Sequence, residues 1–218
     1  MINRVLIRLK IVQIIYAYYK NSGKTIKATE DEMFFSLSKA YDLYNYMLLL
    51  MVGITHYAAD RISFLSMKIR PTENDRNPNL KFVNNRFIAQ LEKNEQLVKF
   101  AEKSKLNWVD NSDLLRRLLD SIEESDIYKE YMAAETSSYE EDKEVWRKLY
   151  KAFIFDNEEL DALLEEQSLY WNDDKSIVDS FVLKTIKRFE EGKASAQQLL
   201  PEYKDVADME FARKLFRN

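Results

Sequence analysis

Few residues in this chain have the types and spacing that chemistry requires. His56 is the single histidine and cysteine is absent, so neither a Ser-His-Asp nor a Cys-His nucleophilic arrangement has support. Its apolar surroundings make His56 a packing or hydrogen-bonding residue on a helix face. The three glycines, Gly23, Gly53 and Gly192, stand alone, and a phosphate cradle needs them clustered. Carboxylates come in adjacent pairs, Glu123/Glu124, Glu158/Glu159, Glu165/Glu166 and Asp173/Asp174, and neighbours in sequence point apart on a helix. Glu165, Asp173 and Asp174 are the one set that could gather around a hard cation. Solvated faces and helix caps account better for all of them. The expectation is no catalytic residue, no metal site and no cofactor.

Charge is more informative. Between Met1 and Thr29 lie Arg4, Arg8, Lys10, Lys20, Lys24 and Lys27 with no acidic residue, in a chain whose formal net charge is −4. Arg4 and Arg8, four apart, share a helix face and could grip nucleic-acid phosphates. Pairing with carboxylates elsewhere in the fold is the alternative. From Asp120 to Asp174 the balance reverses, with 18 acidic and 5 basic residues. Such a surface repels nucleic acid, and serves solubility or a basic protein partner. Lys184, Lys187 and Arg188 form a second basic group, read here as last-turn charges complementing a helix dipole.

The element that must position Arg4 and Arg8 is the stretch RVLIRLKIVQIIYAYYK, Arg4 to Lys20. From Val5 to Tyr19 only Arg8, Lys10 and Gln13 are neither apolar nor aromatic. On a helical wheel Val5, Leu9, Val12, Tyr16 and Tyr19 make one stripe, while Ile7, Ile11, Ile14 and Tyr18 cover the far side. The run is long for a strand and contains no turn signal. An apolar surface nearly all round predicts a core helix clamped between others.

Arg8 followed by Ile11-Val12-Gln13-Ile14-Ile15-Tyr16-Ala17-Tyr18 resembles the first helix of the bacterial antitermination factor family NusB, where an Arg-rich start runs into a motif of the type R-x-x-A-V-Q-x-L-Y. Gln13 and Tyr16 match the motif's Gln and Tyr, and Arg4 and Arg8 match two of its arginines. Val5 and Leu6 stand where family members often carry more Arg. FVNNRFIAQLE, ESDIYKEYM, EEQSLYWNDD and FVLKTIKRFEE resemble the long form of the family, with a large helical insertion. The resemblance implies a non-enzymatic factor that recognises boxA-like single-stranded RNA with the ribosomal protein NusE and joins the RNA polymerase antitermination complex. It makes Arg4 and Arg8 the RNA-contacting candidates and places Tyr16 on the partner-binding helix. Burial of Tyr16 on the Val5/Leu9/Val12 stripe is the competing reading.

Composition fixes the fold class. The chain has 218 residues, 46% hydrophobic and 32% charged, with only three Gly and three Pro. So few breakers cannot supply the turns of a sandwich, barrel or doubly wound sheet, and an all-α bundle of eight or nine helices with no sheet is expected. One unit is expected over 1–218: a first helix at 2–20, an inserted helical region at 29–190, and at 205–218 the start of a further core helix. There FARKLFRN resembles the opening of NusB's second core helix, so the chain is expected to stop before the rest of the family's helical core. Thr29-Glu30-Asp31-Glu32 reads as a capping box opening a helix of about forty residues that Pro71 stops. A third helix is expected from Leu80 or Val83 to Ser104. Caps at Ser112 or Asp113, Ser125-Asp126, Ser138, Asp156-Asn157-Glu158-Glu159 and Asn172–Asp174 open the rest, and Gly192 stops the one at 174–190. The longest apolar run, Tyr46 to Ile54, is too short to span a bilayer, and no cleavable leader opens the sequence; a cytoplasmic protein is expected. Two rivals remain: a helical protein-binding module that works through its acidic surface, and an accessory domain of an RNA-modifying enzyme. The second would need a glycine-rich cofactor domain, which these residues do not contain.

Overall fold

The computed structural model describes residues 1–20, 25–104, 106–171, 173–193 and 197–217. It is all-α. Among the described residues there are eleven α-helices and no strand, only an isolated parallel bridge between Ile2 and Tyr203. The spine is α2 (Ile26–Ser66), 41 residues long. Its middle is buried on every side: Leu43, Tyr44, Tyr46, Met47, Leu48, Leu50 and Met51 are sealed from solvent. Among the helices packed against it are α1 (Arg4–Lys20), α4 (Arg86–Glu92), α6 (Ser112–Glu124) and α10 (Lys175–Arg188). By length and composition α2 could cross a membrane; its middle faces other helices, while residues toward its C-terminal end such as Phe64 stay exposed.

All-round burial was expected of the first helix and belongs to the second. α1 has the predicted extent, yet only Leu6, Ile7, Lys10, Ile11 and Ile14 are buried. It lies in the groove between α2 and α11 (Val206–Arg217) with its other side open. Chain ends position this layer. The Met1 amine donates to the Pro201 carbonyl, and Ile2 N donates to Glu202 O at 2.6 Å. Tyr41 Oη from α2 reaches Leu200 O at 3.0 Å, so the 197–203 segment is tied to α1 and to the spine.

Local chemistry explains the other boundaries. α2 begins at Thr25, whose Oγ1 accepts from Ala28 N at 3.2 Å. The expected box at Thr29 is already inside the helix, its hydroxyl donating back to Thr25 O at 3.0 Å. The helix stops at Ser66, short of Pro71, and the loop after Pro71 holds a single turn, α3 (Glu73–Arg76), with its own capping box on Thr72. The long third helix divides into α4 and α5 (Glu95–Ser104) because Asn94 interrupts it. Buried Asn94 accepts from Gln96 N and Leu97 N and donates to Gln197 O, which starts a new helix. This division, and α3, raise the helix count above the expected eight or nine. Ser125, Ser138 and Asn157 cap α7 (Asp126–Ala133), α8 (Tyr139–Leu149) and α9 (Glu158–Gln167) as expected. α10 ends at Arg188 with Phe189 as its C-cap, before Gly192. The sequence also ends α1 at Gly23; that residue and Asn172 of the expected cap lie outside the described residues.

Candidate nucleic-acid interface

On α1 the residues split by angle. Leu6, Ile7, Lys10, Ile11 and Ile14 fill one arc against the bundle, and Arg4, Val5, Arg8, Val12, Tyr16, Tyr19 and Lys20 fill the opposite, exposed arc. Val5, Val12, Tyr16 and Tyr19 are 61%, 67%, 64% and 81% exposed. Burial of Tyr16 is therefore ruled out, and its stripe is the outer face of the helix. The inner face wins because it must also accommodate Lys10, whose ammonium sits 2.7 Å from the buried Asp174 carboxylate and donates to Tyr170 O at 3.1 Å.

Arg4 and Arg8 converge on one ring. Their guanidiniums stand 5.0 Å and 5.7 Å from the centroid of Phe211 on α11, within cation–π range. Arg4 also reaches the Asp208 carboxylate at 3.8 Å while most of its side chain stays in solvent. No carboxylate of the described residues pairs with Arg8. The pairing alternative thus holds for Arg4, loosely, and fails for Arg8. Farther along, Lys20 Nζ lies 5.6 Å from the Tyr16 ring centroid, and Tyr18 and Tyr19 meet edge-to-face at 5.7 Å. By the helical rise of 1.5 Å per residue, Arg4 and Tyr19 lie about 22 Å apart along one continuous face.

The face continues into a hollow of about 990 Å³ between α1, the start of α2 and α11. Tyr18, Tyr19, Ile26, Phe216 and two arginines, Arg213 and Arg217, line it. Glu30 holds both arginines, accepting from Arg213 Nε at 3.0 Å and Arg217 Nη2 at 2.7 Å. Hydrogen bonds from Arg217 first, then both positive charges, hold the Glu30 carboxyl below its usual range. A core helix cut off at 218 would leave Phe211, Leu215 or Phe216 facing solvent; all three are half-buried. The sequence carries one signal for this second set: Arg213 and Arg217 stand at the same four-residue spacing as Arg4 and Arg8.

The other candidates disperse. Asp174 turns inward to Lys10, and Asp173 accepts from Gln13 Nε2 at 2.7 Å; among the described residues no group of three metal-ligating side chains converges. His56 is exposed and hydrogen-bonds Glu92 at 2.9 Å, beside apolar residues of α2, as a packing or hydrogen-bonding residue would. Compared with known protein families, curated proteins and solved structures, the chain matches none.

Proposed function

We propose that the protein is a non-enzymatic RNA-binding factor of the NusB type, acting in the cytoplasm with a NusE-like partner on boxA-like RNA. What carries the reading is the exposed arc of α1, which places two arginines at one end and two tyrosines and a valine at the other. Guanidiniums held against an aromatic ring keep their donors in solvent, where a single strand's phosphates can displace water. Asp208 and Glu30 partly neutralise the region, so the arginines position RNA without forming a strongly positive field. Tyr16, with Val12 and Tyr19, supplies the apolar contact that a protein partner needs. Splitting the two roles along one helix accounts for both halves of the motif.

The test is binding of boxA-like RNA, with and without NusE, followed by filter retention or fluorescence anisotropy. Arg4→Ala with Arg8→Ala should weaken RNA binding and leave NusE binding in place, and Tyr16→Ala should do the reverse. No binding of either ligand by the folded protein would overturn the proposal.

A further inference from the structure

A second surface lies on the opposite reach of α2, away from α1. The C-terminal half of α2, helix α5 and the turn around Trp108 enclose an open groove of about 880 Å³. Its floor is apolar and firm. Trp108 stacks on Tyr46 with ring centroids 4.1 Å apart, and its Nε1 donates to Tyr46 O at 2.9 Å. Trp108 approaches α2 at Gly53, where a side chain's Cβ would come within 3.2 Å of the Trp108 Cβ. Leu97 and Leu115 are buried beneath, and Phe64, Val98 and Val109 rise exposed at the edges. The groove follows α2 from Leu49 to Leu65, about 24 Å at 1.5 Å per residue.

The polar rim has one sign. Asp60, Glu92 and Glu102 line it, and Arg61 is the only lysine or arginine among the described lining residues. Arg61 is itself neutralised from α6, by Asp120 at 2.6 Å and by Glu123. The remaining titratable side chains are His56, tied to Glu92, and the Tyr57 hydroxyl.

From the apolar floor, the length and the acidic rim we infer that this groove docks an amphipathic helix about four turns long with a basic polar face, presented by a partner protein. A helix laid along α2 would seat side chains at i, i+3, i+4 and i+7 on the floor, as in helix-in-groove recognition. Its lysines and arginines would then face Asp60, Glu92 and Glu102, which sets the choice of partner and the direction of approach. A compact apolar ligand would use the volume but neither the length nor the rim. This surface shares no residue with the proposed RNA face, so the two readings stand or fall separately.

The experiment uses a fluorescein-labelled sixteen-residue helix with leucines on one face and lysines on the other, titrated with the full chain. Saturable one-to-one binding is expected, weaker by about tenfold when the probe's lysines become glutamates, because complementary charge discriminates partners. Asp60→Lys with Glu102→Lys should reverse that preference, and Phe64→Ser with Val109→Ser should weaken both probes. All four side chains are exposed, and thermal melts by circular dichroism confirm each variant's fold. A scrambled Leu/Lys probe that cannot form an apolar face should not bind. Equal affinity for the lysine and glutamate probes, binding untouched by the groove variants, or a self-dimer that buries the groove and excludes the probe would each overturn the inference.

Discussion

Lys10 Nζ and Asp174 Oδ2 stand 2.7 Å apart, with side chains 4% and 0% exposed, joining α1 to the start of α10 across 164 positions of sequence. Burial pushes the Asp174 carboxyl up, against the pull of the Lys10 charge. That pair, together with the Phe211 contact to Arg4 and Arg8, sets the rotation of α1 in the bundle and so which of its two apolar sides meets solvent.

Removing one partner should cost far more than removing both. Asp174→Asn leaves an ammonium buried without a counter-charge, which typically costs about 3–5 kcal/mol. Lys10→Met with Asp174→Leu should be close to neutral, since replacing a buried pair by packed apolar side chains is often harmless. Urea unfolding followed by circular dichroism at neutral pH measures both. A single variant as stable as the double would show that the pair is solvated.

For the RNA face, Arg4→Ala with Arg8→Ala should flatten the slope of log affinity against log salt by roughly 1 to 1.5 for a single strand. The helix should stay folded, because both side chains are outside the core. A salt titration of boxA-like RNA with the NusE-bound protein reads the slope directly. An unchanged slope would leave Phe211 and Asp208 as the arginines' purpose.

Tyr16→Ala should reduce NusE affinity by about 2 kcal/mol, the usual scale for an aromatic anchor at an interface. The folding free energy should hardly move, as the ring is 64% exposed. Calorimetric titration separates the two effects, and loss of stability without loss of affinity would assign Tyr16 to the fold.

Acid should loosen the packing of α8 against α4 through Asp142. Burial raises this carboxyl, but hydrogen bonds from Ser137, Tyr131 and Arg86 outweigh it and hold the group below its ordinary value of 3.8. A folded-state value depressed below the unfolded one means that the native state releases this proton more readily. The stability it contributes is therefore present above about pH 3.8 and is lost as pH falls through the lower, folded value. Asp142→Asn should lower stability at pH 7 and make the decline below pH 4 shallower than in the parent. Parallel acid-unfolding curves for the two proteins would contradict this.

At Gly53, two effects oppose. Alanine favours a helix interior by about 1 kcal/mol over glycine, but its Cβ would press on a Trp108 held by a stack and a hydrogen bond. Overpacking costs about 1–3 kcal/mol, so Gly53→Ala should destabilise. A rise in melting temperature would mean that the groove floor yields.

The sequence by itself determined that the chain is helical, and where several helices begin. Ser125, Ser138 and Asn157 announce α7, α8 and α9 because a cap is a bargain within three residues: a side-chain oxygen meets backbone donors that the helix leaves open. The spacing of Arg4 and Arg8 likewise put both on one face of α1 before any fold was known. It could not say which face turned inward. Both sides of α1 are apolar, and a wheel weighs only the helix's own residues. The choice fell to Lys10, which found Asp174 from α10, and to Phe211 from α11, which drew both arginines to the rim. For the same reason α2, whose middle must be covered on every side, became the spine instead. The acidic-rimmed groove was equally out of reach, since its floor joins Gly53, Leu97, Trp108 and Leu115 from four separate segments. Contacts between distant segments are made by tertiary packing, and no local pattern encodes them.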